Sequence, residues 1–170
     1  MAITYTKIAS VTLTSNQSAI DFTSIPSTYT HLLIKLSLDG LGYNATTGNV
    51  TFNGGASSFN YRKLFKDGAS ATATLSTANG AENIPLEMGG GTNTTASCFG
   101  PNQIFIANYT SSNNKITHIE FATEANTNDK WVGWATAWWT GTAAVDRVTI
   151  TGNSNWVADS TAVLYGILQA

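Results

Sequence analysis

From Thr28 to Leu38 apolar side chains recur at every second residue. Leu32, Ile34, Leu36 and Leu38 share one parity, while Lys35 and Ser37 take the other. That period belongs to an extended strand with one buried face. Shorter runs of the same kind occupy Ile8–Leu13, Val50–Phe52, Phe59–Phe65, Ile104–Tyr109, Ile116–Thr123, Trp131–Thr140, Val145–Thr151 and Ala162–Leu168. Hairpin and turn dipeptides stand between them at Asp39-Gly40, Asn53-Gly54 and Asp67-Gly68, residue pairs that accept the backbone angles of tight turns. No stretch sustains a capped helical period. About nine or ten strands separated by turns predict an all-β domain over the whole chain, an antiparallel two-sheet β-sandwich of jelly-roll-like type.

Two segments depart from the alternation. Residues 69–100 are rich in Ala, Ser, Thr, Gly and Asn and poor in large apolar residues. A stretch of that length reads as a long loop, either a loose insertion or an arm that orders against a neighbouring subunit. Ile84, Leu86 and Met88 are its candidate anchor points. At the other end, Thr161–Leu168 reads as a strand that finishes almost flush with the chain, which is the expectation for a complete domain.

Charge is scarce. Charged residues make up 11% of the 170, against about 25% in ordinary soluble domains. The polar surface is therefore built from Thr, Ser and Asn. It lacks the charges that usually keep sheet edges from pairing with other chains, an expectation that favours a protein seated against neighbours. A net charge of −2 gives no field to draw nucleic acid or an anionic membrane. Arg62, Lys63 and Lys66 cluster, but on a strand they alternate between faces and read as a solvated edge. Cys98 is the single cysteine, so no disulfide forms within the chain. The opening residues lack a signal peptide's basic start and apolar core, and no run reaches membrane-spanning length. The expected site of synthesis is a cytoplasm.

No motif announces catalysis or a cofactor. His31 and His118 each lie in a strand without His, Cys or carboxylate at metal-ligand spacing, and read as hydrogen-bonded structural histidines. Gly89-Gly90-Gly91 lacks the Lys-Ser/Thr and the preceding strand of a phosphate loop. Glu120 and Glu124 share parity but lie roughly 13 Å apart along an extended strand, too far for a glycosidase pair. The sequons at Asn16, Asn44, Asn49, Asn93 and Asn108 follow from the Asn- and Thr-rich composition.

Aromatic residues carry the strongest signal. Trp131, Trp134, Trp138 and Trp139 crowd one segment, and Trp156 follows. On a strand, Trp134 and Trp138 face one side and Trp131 and Trp139 the other. One side is core. The other side is open to three readings: corner packing, a subunit interface, or a platform for stacking sugars.

Tyr5–Leu13 and Ile20–Thr30, leading into an apolar strand, resemble the start of small virion proteins of tailed bacteriophages. The Phe52-Asn53-Gly54 turn, Asn60–Leu64, Asn108–Asn113 and the closing Ala162–Ile167 strand match segments of those proteins in the same order. The resemblance covers most of the chain. It implies a β-sandwich virion component, commonly trimeric, on the capsid surface or the tail, with no catalytic residues to carry over. The expected function is capsid decoration: a homotrimer at the virion surface, binding the major capsid protein, with no cofactor. The alternative is a tail- or head-fibre domain that binds host glycans through the tryptophans.

Overall fold

In β3 (His31–Leu38) the alternation becomes burial: Leu32, Ile34, Leu36 and Leu38 are buried, while Lys35 is exposed. The computed structural model describes residues 3–41, 47–55, 58–67, 72–87, 99–123 and 131–169. Met88, Gly89–Gly91, Cys98, Glu124, Gly68 and the sequon residues Asn44 and Asn93 lie outside the described residues.

Twelve strands are described. In chain order they are β1 (Ile3–Thr12), β2 (Gln17–Phe22), β3, β4 (Thr47–Phe52), β5 (Phe59–Asp67) and β6 (Thr74–Ala81). There follow β7 (Ile84–Glu87), β8 (Gly100–Ile106), β9 (Lys115–Ala122), β10 (Trp131–Trp139), β11 (Val148–Trp156) and β12 (Thr161–Gln169). They form the two antiparallel sheets expected from the alternation, divided unequally. The larger runs β1-β12-β3-β8-β9-β10-β5-β6 and the smaller β2-β11-β4-β7.

The core fills the space between the sheets. The smaller sheet contributes Ile20, Phe22, Val50, Phe52, Ile84, Leu86, Val148, Ile150 and Trp156. The larger contributes Leu32, Ile34, Leu36 and Leu38 of β3 together with Ile104, Ile106, Ile119, Phe121, Ala135, Ala137, Trp139 and Leu164. Each fully buried large aliphatic or aromatic side chain stabilises the fold by about 1.5–3 kcal/mol. Phe52 ties the layers together, meeting Phe59 edge-on at 5.4 Å and Trp139 at 5.7 Å.

Two of the expected hairpin dipeptides do something else. Asn53 and Gly54 both take positive φ, 54° and 67°, as a tight Asn-Gly turn requires. Yet β4 and β5 on either side belong to different sheets, so the turn is a corner between layers. Asn53 pins it by accepting from the backbone N–H of Asp146 at 3.0 Å and donating to the Ala144 carbonyl at 2.8 Å. Asp39-Gly40 likewise leaves the larger sheet, and Gly40 bridges to Trp156 of the smaller one.

The reading of 69–100 as one loop is corrected. β6 adds an edge strand beside β5, and β7 pairs with β4 in the smaller sheet. Ile84 and Leu86 are fully buried in this chain's own core. They are therefore not contact points for a capsid-binding arm: the core needs apolar cover over β9 and β10, near which β7 lies, and these two side chains supply it.

Candidate binding face

The smaller sheet covers one face of the larger sheet. Among the described residues no strand covers the opposite face, and antiparallel register places its side chains in cross-strand rows. One row reads Leu75, Leu64, Trp134, Glu120, Gln103, Lys35 and Val163, from β6 across to β12. The neighbouring row carries Arg62, Thr136, His118, Phe105, Leu33 and Tyr165. Ladder pairing fixes the backbones of these positions, so the face is a rigid scaffold.

The five tryptophans separate by parity, as the strand reading required. Trp139 is 4% exposed and Trp156 fully buried, so neither is available to a ligand or a partner in this fold. Trp156 donates from Nε1 to the Ile150 carbonyl at 3.3 Å. Trp131 is half-buried and stacks on Phe65 at 5.1 Å with the rings nearly parallel. Trp138, also half-buried, has the Arg62 guanidinium 5.9 Å from its ring. Trp134 is 51% exposed on the open face, flanked by Leu64 and Glu120. The cluster therefore supplies one strongly exposed indole.

Beside Trp134 lies a depression of about 740 Å³. Lys35, Gln103, His118, Glu120, Val132 and Trp134 line it. Its polar side chains form a continuous chain. Lys35 Nζ donates to Gln103 Oε1, and Gln103 Nε2 donates to Glu120 Oε2 at 2.5 Å. Glu120 Oε1 lies 3.5 Å from His118 Nε2, and His118 Nδ1 lies 3.4 Å from Thr136 Oγ1. The charges of Lys35 and Glu120 offset one another, and Gln103 is held between them.

The order hydroxyl, imidazole, carboxylate has the connectivity of a nucleophile activated by a base. Both separations, however, exceed the hydrogen-bonding reach of about 2.6–3.2 Å that such a relay uses. The backbone N–H groups of β9 and β10 are directed into the ladders on either side, so among the described residues these two strands present no paired donors of the oxyanion-hole kind. The arrangement offers donors and acceptors that can hydrogen-bond a ligand.

His31 has a structural place. Its Nδ1 accepts from the Asn108 backbone N–H at 3.0 Å, which puts the proton on Nε2, 3.3 Å from Gln169 Oε1. It thereby holds Asn108 at its positive φ of 46°. His118, read from sequence as a hydrogen-bonded histidine too, lies beside the Thr136 hydroxyl on the open face. Gln103 and Lys35 had no motif to mark them; only the register of β8 against β3 and β9 brings them beside Trp134. Among the described residues no group of three or more His, Cys, Asp or Glu side chains is placed to hold a metal ion.

A second apolar exposure lies at one end of the outermost strand. Ile3 (61% exposed) and Tyr5 (58%) of β1 pair with Gln169 and Ile167 of β12 and share the parity of the open face, while Leu168 (47%), paired with Thr4, takes the other face. β1 pairs with β12 on one side only among the described residues. Its ten residues carry one charge, Lys7, and one irregularity, between Lys7 and Ala9.

Comparison with protein-family models, with curated proteins and with solved structures gives no match for this chain.

Proposed function

We propose that the chain is a structural protein of a bacteriophage particle that decorates the capsid, assembling as a homotrimer at the virion surface and binding the major capsid protein. The observation that carries this reading is the long, weakly charged β1 edge with Ile3, Tyr5 and Leu168 exposed at its end. Natural sheet edges are usually blunted by several charges, by proline or by covering elements. This one offers ten residues of backbone with exposed apolar side chains at its end, Ile3 and Tyr5 on one face and Leu168 on the other, and strand addition to a neighbouring chain uses such a combination. The resemblance of the sequence to small phage virion proteins supplies the identity of the neighbour.

Decoration of this kind is binding without chemistry. Each contact is modest, and repetition over a symmetric shell gives the whole layer avidity. The reading is tested by stripping the protein from particles and adding it back. The unmodified chain is expected to sediment with the shells. Tyr5→Asp, which places a charge at the end of β1 at a position already exposed, is expected to stay in the supernatant while remaining folded. Attachment unchanged by Tyr5→Asp contradicts the assignment of the β1 edge.

A further inference from the structure

We infer that the depression beside Trp134 is a binding site for a neutral oligosaccharide. The inference is separate from the capsid contact, because β12, β3, β8 and β9 lie between Tyr5 on β1 and Trp134 on β10 in the larger sheet.

Four observations converge on this chemistry. Trp134 offers a half-exposed indole, with Val132 (56% exposed) two residues along the same face. A pyranose ring has a face of C–H bonds that packs on such a surface, which carries partial negative charge. Next to the indole stand an ammonium, an amide, a carboxylate and an imidazole: Lys35, Gln103, Glu120 and His118. Sugar hydroxyls both donate and accept, and this set offers both kinds of partner across two neighbouring rows.

The third observation is charge. Lys35 and Glu120 cancel, so the site does not select phosphate or sulfate, and a nucleic-acid backbone meets a carboxylate where it needs cations. The polar row also interrupts the apolar surface that a lipid would seek. The fourth is preorganisation: Gln103 is clamped by Lys35 on one side and Glu120 on the other. Its amide is aimed before any ligand arrives, which lowers the ordering cost of binding. The size fits as well, since about 740 Å³ falls within the roughly 300–1,000 Å³ of small-ligand sites.

The test is calorimetric titration of the full chain with four probes: cellotetraose, maltotetraose, chitotetraose and mannotetraose. At least one is expected to bind saturably, with a shift in tryptophan fluorescence. Trp134→Ala is expected to weaken that binding about tenfold or more, as removal of a central aromatic anchor does. Trp134→Phe, which keeps a smaller ring and guards against a folding artefact, falls in between. Gln103→Ala weakens binding as well, whereas Leu75→Ser, on the same face outside the depression, leaves it unchanged. Absence of heat and of fluorescence change with all four probes at about 10 mM, a concentration that reveals even millimolar affinity, overturns the inference. So does binding that survives Trp134→Ala. Loss of shell attachment in Trp134→Ala, with no sugar bound by the unmodified chain, overturns it too and assigns the face to the capsid.

Discussion

Lys115 is fully buried, and its removal gives a sharp test of how the fold manages a sparse set of charges. Its ammonium reaches the carbonyls of Ser111 and Asn113, both at 2.6 Å, and that of Thr142 at 3.4 Å. The Trp139 ring lies 5.8 Å away. The three N–H donors thus gather the turn between β8 and β9 onto the segment that follows β10. Hydrogen bonds to a charged group contribute about 1.5–3 kcal/mol each, so the two short ones are worth about 3–6 kcal/mol together. Burial of the ammonium opposes them by several kcal/mol, and the same burial pushes its pKa below the ordinary 10.5. Lys115→Met keeps most of the buried stem and removes the donors. Water reaches the Asn113 and Thr142 positions, which are exposed, and softens the loss. The expected net destabilisation is about 2 kcal/mol, a fall in Tm of about 4–8 °C for a chain of this size.

The pH dependence follows from the sign of the shift. Between the lowered folded pKa and 10.5 the unfolded chain binds the extra proton, so Lys115 makes stability rise with pH across that window. Tyr109 acts the other way. Burial raises its phenol above the ordinary 10.0, so stability is lost as pH climbs past 10.0. Urea unfolding of wild type and Lys115→Met from neutral pH to above 10.5 separates the two, because the Tyr109 contribution cancels in the difference. The advantage of the wild type over the variant is expected to widen as pH rises. A variant as stable as wild type, or a difference that narrows with pH, refutes the reasoning.

Two further perturbations probe the sheet and its surface. A Cβ added at Gly133 would lie 2.4 Å from the Leu64 carbonyl oxygen and 2.8 Å from Phe65 Cα and Phe121 Cζ. Gly133→Ala therefore has to move β5 or β10, at a cost of about 1–3 kcal/mol, and thermal unfolding is expected to show it. An unchanged Tm would mean that the ladder is looser than described. Asp21 accepts from Arg147 Nε at 2.9 Å and Nη2 at 2.5 Å and from the Thr149 hydroxyl at 2.8 Å, and the Arg147 hydrogen bonds hold its carboxyl below the ordinary 3.8. A lowered folded pKa gives stabilisation that is complete above 3.8 and lost as pH falls through the folded value. The advantage of wild type over Asp21→Asn is expected to be small, because the pair is partly exposed, and to vanish in acid; an advantage independent of pH contradicts this account.

The alternation of β3, β9 and β12 was readable because these strands bury one face under the smaller sheet. So was the parity of the tryptophans, which set Trp134 and Trp138 apart from Trp131 and Trp139. β6 was not readable. Its side chains lie beyond the densest core, so it carries Leu75 as its one large apolar residue, and that residue faces outward. β7 was too short, and Pro85 obscured it; proline is tolerated there because β7 is an edge strand. β2, with Ile20 and Phe22, was seen as a resemblance rather than as a strand. The binding face depended on pairing order above all. β12 inserts between β1 and β3, and β8 pairs with β3 across more than sixty residues. Local periodicity contains no information about such partners, which is why Lys35, Gln103 and Glu120 emerged as neighbours only in the fold.

The central claim is that many copies of this chain coat a phage capsid. It is tested most directly by purifying the particles that carry it, dissociating them gently and measuring its copy number relative to the major capsid protein. A fixed ratio amounting to hundreds of copies per particle, with shells that become more fragile once the protein is removed, is the predicted result. A handful of copies per particle, with shells equally robust without it, contradicts the decoration role.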